Sequence, residues 1–195
     1  MTFILASASP RRRELLASIG LEFEVRPSNI PEVRQEGEAP EEYVARLSRE
    51  KAQALAAAYP ASWIIAADTT VLLGDELLEK PVDGRDAQRM LAAIAGRTHI
   101  VYTGVTLQNA GRGHHDTRIA ESEVRMLPLS AEEIEWYVGT GEPLDKAGAY
   151  AVQGVGAMFI ESIHGSYTNV VGLPLATLYQ MLRRAGLDPL SKKPE

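Results

Sequence analysis

The chain has 195 residues, 45% of them hydrophobic and 24% charged, an ordinary globular composition that predicts one well-buried core and a single domain over 1–195. A net charge of −6 argues against the broad basic surface that nucleic acid needs, so any anion must be met by a local basic cluster. The absence of cysteine removes disulfides, thiolate metal sites and Cys nucleophiles together, and the four histidines stand in no metal-ligand spacing.

From the N-terminus, MTFILASASPRRR carries its charge after a very short apolar stretch, the reverse of a secretory signal, and no apolar run is long enough to span a membrane. The expected location is the cytoplasm, with no membrane partner. TFILA reads as a short buried strand and PRRRELLASIG as a helix, with Ser9 at the N-cap, Pro10 at the first helical position and Gly20 past the end. LEFEVRP follows as a strand. Beyond the Pro/Asn/Glu-rich segment 27–40 comes a long helix over EEYVARLSREKAQALAAAY, then WIIAADTTVLLGDELLEKP as two strands around a Gly74-Asp75 turn. Residues 84–95 read as a helix stopped by Gly96. THIVYTGVTLQN and TRIAESEVRML flank AGRGHHD as an antiparallel hairpin, and Ser130 and Glu133 match a capping box at the next helix. The last third reads as strands over AGAYAVQG and AMFIESI, a Gly-rich loop HGSYTNVVG and a closing helix LPLATLYQMLRRAG. Helices interleaved with strands and hairpins predict an α/β fold around a mixed sheet.

Three places break local rules. A helix N-terminus carries the equivalent of about +0.5 charge, so cations in its first turn cost about 0.3–1 kcal/mol each. Arg11, Arg12 and Arg13 all stand there. Either this is a solvated charged face, or an external anion resolves the conflict, because backbone N–H groups, the Ser7 and Ser9 hydroxyls and forked guanidiniums can converge on one phosphate cluster. Successive helical positions lie about 100° apart, which leaves Arg13 for solvent. In the long helix, an apolar stripe of Tyr43, Val44, Leu47, Ala54, Leu55 and Ala58 places Lys51 on the inward face, where a lysine must pair, enter a polar cleft or snorkel to water. Asp68 follows the most apolar run of the chain, and since TTVLL continues beyond it there is no helix for it to cap. Ligands in α/β sheets bind beyond the carboxyl ends of such strands. Lys80 and Glu32, taken alone, read as surface charges. GVGAM and GRGHH match neither a P-loop nor a dinucleotide fingerprint, His114-His115 reads as a hairpin tip, and no Gly-x-Ser-x-Gly elbow or HExxH is present.

LASASPRRRELL, AADTTVLLGDELLEKP, PLDKAGAYAVQG and GSYTNVVGLPL, in this order and spacing, resemble the Maf family of nucleoside triphosphate pyrophosphatases over nearly the whole chain. The resemblance implies a single α/β domain with a long mixed β-sheet flanked by helices, related to the inosine triphosphate pyrophosphatases, and a homodimer. It implies cleavage between the α- and β-phosphates with a divalent cation, Mg²⁺ or Mn²⁺. Residue by residue, it places the phosphate loop on Ser7, Arg11 and Arg12, the basic helix residue on Lys51, the catalytic aspartate on Asp68, the strand-turn lysine on Lys80 and the acidic loop residue on Glu32. Asp68 and Glu32 would hold the metal. Arg11, Thr69 and Gln153 match the specificity positions, and the combination of PLDKAGAYAVQG with GSYTNVVGLP resembles the branch acting on dTTP and UTP. Gln153 has a physical reason to suit it: uracil and thymine present a carbonyl beside an N–H, and a carboxamide offers the complementary pair. Two other readings stand beside this one. The chain could bind nucleotides as a regulator of septum formation with little turnover, or it could cleave modified or purine nucleotides. An oligonucleotide-binding module is disfavoured by the charge.

Overall fold

Apolar runs become the inner strands of a mixed sheet. In the computed structural model, which describes residues 2–188, β1 (Phe3–Leu5) is buried throughout and pairs parallel with β2 (Phe23–Val25) on one side and β3 (Trp63–Leu73) on the other. With β4 (Glu76–Leu78), β5 (Thr98–Asn109), β6 (His114–Met126) and β7 (Ile160–Gly165), the strands make a seven-stranded sheet in the order β2-β1-β3-β5-β6-β7, with β4 paired antiparallel to β3. The β5–β6 connection through Ala110–Gly113 is too short for anything but the expected hairpin. Helices and strands alternate as the sequence predicts, and the fold is α/β. Among the described residues no helix is long and apolar enough to cross a membrane.

By contact density the chain divides into two compact units. Among the described residues, one comprises 2–68, 103–120 and 172–188. Its helices are α1 (Pro10–Ser18), α2 (Pro40–Ala56) and α6 (Leu175–Arg184). Ser9 caps α1 and Pro10 opens it, as its sequence dictates. The inward face of α2 begins as expected with Tyr43, Val44 and Leu47, then continues through Ser48, Lys51, Ala52 and Ala56, whereas Ala54 and Ala58 are exposed. The expected stripe went astray at Ser48, a polar residue that earns burial by donating to the Ala45 carbonyl (2.9 Å) and pairing with Thr106 (2.9 Å). Small residues Ala52, Ala56, Ala6 and Ala66 then pack with Ile4 and Ile64.

Close approach of α2 to β5 depends on Gly104. A Cβ there would overlap the Val44 carbonyl and stand 2.8 Å from the Ala45 nitrogen. Since neither backbone group can yield locally, Gly104→Ala is expected to cost about 3 kcal/mol or more, at the upper end of overpacking penalties, and to lower the denaturant midpoint accordingly. An unchanged midpoint would mean that α2 shifts freely.

The second unit comprises residues 69–102 and 121–171. It contains α3 (Gly84–Ile94), capped by Asp83, α4 (Ala131–Gly139) and α5 (Tyr167–Val171). The Ser130–Glu133 capping box is present, with bonds of 3.2 and 2.7 Å. Its core joins Val71, Leu78, Leu91, Ile94, Val124, Tyr137 and Phe159. Three expectations fail here. AGAYAVQG is not a strand: Ala147–Ala149 forms a 3₁₀ turn with Gly148 and Ala149 at φ 71° and 57°, a left-handed pair no strand accommodates. AMFIESI becomes a strand only at Ile160, because Val155–Phe159 is a further 3₁₀ turn. HGSYTNVVG contributes His164 and Gly165 to β7 and then forms α5.

Candidate active site

The parallel register of β1 on β3 sets the geometry. Leu5 lies opposite Ile65 and the Ala6 nitrogen donates to the Ile65 carbonyl (2.8 Å), so the chain leaves β1 for α1 alongside the part of β3 that carries Asp68. This is where the carboxyl end of a parallel strand in an α/β sheet exposes a ligand-binding edge. Ser7 is buried in the connection, its hydroxyl accepting from the Ser9 nitrogen (3.2 Å) and from Arg12 Nη1 (3.1 Å). Arg12 Nε donates to the Gly172 carbonyl (2.8 Å). The three consecutive arginines therefore part company: Arg12 is held inward by these bonds, Arg11 is half-buried and Arg13 is exposed, as the helical rotation requires. Burial pulls the Arg12 guanidinium down from its ordinary pKa, against the opposing pull of Asp68 and Glu32.

Lys51 is paired rather than snorkelled. Its Nζ stands 2.5 Å from Asp68 Oδ1 and 2.6 Å from Glu32 Oε1, and its side chain is only 7% exposed. Asp68 lies mid-strand and buried, and β3 runs through it without a break. Burial raises the Asp68 pKa above the usual carboxylate value, Lys51 and Arg12 counter that shift, and the Glu32 charge adds to it. Ser7, Arg12, Glu32, Lys51 and Asp68 thus converge within one unit. Such a cluster offers a phosphate-binding cation, hydroxyl and backbone donors, and a carboxylate whose proton affinity burial has raised.

Thr69 follows Asp68 on β3 and is half-buried. Lys80 is exposed after β4, and Gln153 is half-buried in a bend after the Ala147–Ala149 turn. These three belong to the second unit. As for a cation, the described residues contain no group of three or more His, Asp or Glu arranged to hold one. Asp68 and Glu32 do supply two carboxylates at one ammonium, and Mg²⁺ characteristically takes one or two carboxylates and completes its shell with substrate phosphates and water. The donor set fits.

Two participants left no trace in a reading of side chains. Gly172 acts through its carbonyl, so only its place in GSYTNVVGLP points to it. Glu142 organises the bend around Gln153: Oε1 accepts from the Tyr137 hydroxyl (2.8 Å) and the Gly156 nitrogen (2.8 Å), and Oε2 from the Val155 nitrogen (3.0 Å). Two backbone donors at the start of the next 3₁₀ turn, Val155 and Gly156, are met by this carboxylate.

The sequence profile of the family described as Maf-like protein matches residues 2–185. The dTTP/UTP pyrophosphatase of Myxococcus xanthus (strain DK1622) is 54% identical over 184 residues, covering 94% of this chain and 92% of that protein. The dTTP/UTP pyrophosphatase of Geobacter sulfurreducens (strain ATCC 51573 / DSM 12127 / PCA) is 50% identical over 183 residues, covering 94% and 96%. Among solved structures, the Staphylococcus aureus Ham1 protein is similar with a TM-score of 0.49 at 11% identity, covering 95% of this chain and 100% of that one.

Proposed function

We propose, on the footing that this chain belongs to the Maf-like protein family, that it is a nucleoside triphosphate pyrophosphatase hydrolysing dTTP and UTP to the monophosphate and pyrophosphate. The observation that carries the reading is the buried Lys51–Asp68 pair with Glu32 beside it, in the unit where Arg12 and Ser7 crown α1. Asp68 orients the attacking water through Oδ2, since Lys51 engages Oδ1, and takes its proton as the new bond to the α-phosphorus forms and the α–β bridging P–O bond breaks. Arg11, Arg12 and Lys51 neutralise the triphosphate and the departing pyrophosphate, joined by Lys80 on the strength of its sequence context. A Mg²⁺ or Mn²⁺ held by Asp68 and Glu32 supplies Lewis-acid polarisation of phosphate oxygens when bound. Homodimeric assembly and a cytoplasmic location complete the proposal.

The arginine series separates binding from surface charge. Arg11→Ala or Arg12→Ala is expected to weaken dTTP binding about 10- to 100-fold, as a charge-assisted hydrogen bond contributes about 1.5–3 kcal/mol, while Arg13→Ala changes it little. Equal losses at all three positions in a calorimetric titration would contradict the geometry. For base choice, Gln153 pairs its carboxamide with the carbonyl and N–H of thymine or uracil, an edge that cytosine changes at a penalty of about 1–3 kcal/mol per unpaired group. Gln153→Ala is expected to narrow the dTTP-over-CTP preference chiefly by slowing dTTP. Faster CTP turnover with dTTP untouched would assign the amide a different part.

Chromatography of the products tests the reaction itself. Incubation with dTTP is expected to give dTMP and pyrophosphate in equal amounts. Thymidine diphosphate and inorganic phosphate would overturn the proposal.

A further inference from the structure

Glu32 lies in a segment that ought not to hold anything still. Between β2 and α2 the chain has no regular secondary structure, and residues 31–37 are all exposed, so no core contact anchors them. Yet the Glu32 carboxylate stands 2.6 Å from a buried ammonium. A loop without buried side chains cannot keep that placement through packing.

The anchor is on α2. Arg46 Nε and Nη2 grip both oxygens of Glu38 (2.6 and 2.8 Å), Nη2 also donates to the carbonyl of Val33 (2.9 Å), the residue after Glu32, and Nη1 reaches both Glu50 oxygens (3.1 and 3.2 Å). Glu38 closes the far end of the loop on itself, since its carboxylate accepts from the Gln35 nitrogen (3.1 Å) and its carbonyl from Arg34 Nη2 (2.6 Å). Tyr43, under the Arg46 guanidinium, donates its hydroxyl to the Glu32 carbonyl (3.4 Å). The Arg46 and Glu38 side chains are 16% and 8% exposed, unlike an ordinary surface pair, and the two-pronged geometry is one that only a guanidinium provides.

We infer that Arg46 is a positioning residue: its fork on Glu38 and Val33 straps the 32–38 loop to α2 and thereby presents Glu32 to Lys51 and Asp68. The inference rests on the reading that Glu32 acts in the site. Hydrogen bonding from Arg46 also holds the Glu38 carboxyl below the usual carboxylate range.

A double-mutant cycle in the full chain tests this, with pyrophosphate release from dTTP as one readout and amide hydrogen exchange across 32–38 as the other. Arg46→Ala, and Glu38→Gln from the loop's side, are each expected to lower kcat/KM by about 10- to 100-fold, the scale of a misplaced active group, and to speed exchange across the loop. Glu38→Gln keeps α2 intact, so a wild-type melting temperature in that variant separates misplacement from unfolding. Arg46→Ala combined with Glu32→Ala is expected to lose no more than Glu32→Ala alone, because the strap acts through that one carboxylate. Additive losses, or unchanged exchange across 32–38, would overturn the inference. Wild-type activity in Glu32→Ala would overturn both it and the reading of Glu32, and is distinguishable because additivity requires an impaired Glu32→Ala.

Discussion

Asp68→Asn is expected to cut pyrophosphate release from dTTP by about a thousandfold, within the range general-base removal brings, while leaving the fold and most nucleotide affinity in place. The amide matches the carboxylate in shape but cannot take a proton from water. Its position argues for survival of the fold: Asp68 sits inside an eleven-residue strand whose other members, from Trp63 to Leu73, are largely apolar and buried. Losing the charge leaves Lys51 with Glu32 at 2.6 Å, so the ammonium is not stranded. Steady-state release and a dTTP titration on the same sample check this together. Release at the wild-type rate would end the general-base assignment, and loss of binding alongside release would make Asp68 a structural residue.

Lys51→Met should be the more damaging variant for stability, because it leaves two carboxylates facing each other with their shared cation gone. Removing one partner of a buried ion pair typically costs about 3–5 kcal/mol. The size of the loss here depends on pH in a definite direction. Burial already places the Asp68 pKa above its unfolded value, with Lys51 the leading influence holding it down. A carboxyl whose folded pKa is raised contributes stability that is fully present below the unfolded value, about 3.9, and is lost as pH rises through the folded value. Removal of Lys51 pushes the folded value further up and extends that window toward neutrality. Urea midpoints of wild type and Lys51→Met should therefore differ most near neutral pH and draw together as pH falls toward the unfolded value. A gap independent of pH would mean that Asp68 does not feel the lysine. Turnover of the variant is expected to fall by about a hundredfold or more, since the triphosphate loses a cation and Asp68 its orientation.

The positions that were legible in the sequence share one property: each breaks a local rule. Arginines at a helix N-terminus, a lysine on an apolar face and an aspartate in an apolar strand are anomalies that need no partner to be noticed. Their partners were harder to find. Lys51 could have paired or snorkelled as far as helical spacing goes, and it pairs with both Asp68 and Glu32, the second an exposed loop residue with nothing in its local sequence to distinguish it from any surface acid. The α2 stripe misled past Leu47 because Ser48 is buried through its bonds rather than its hydrophobicity. AGAYAVQG resembles a strand by composition, yet Gly148 and Ala149 turn left-handed, and Glu142 gathers the nearby backbone donors. Arg46 is a third kind of case. A charged residue beside the buried face of an amphipathic helix carries no signal until the loop it binds is in view.

The central claim is that this chain releases pyrophosphate from thymidine and uridine triphosphates. Initial rates of release by the wild-type chain from dTTP, UTP, CTP, ATP and GTP, at equal concentrations with Mg²⁺ present, test it most directly. The account predicts dTTP and UTP well ahead of the other three. Preference for a purine triphosphate would contradict the base assignment, and tight nucleotide binding without release of pyrophosphate from any of the five would contradict the enzyme.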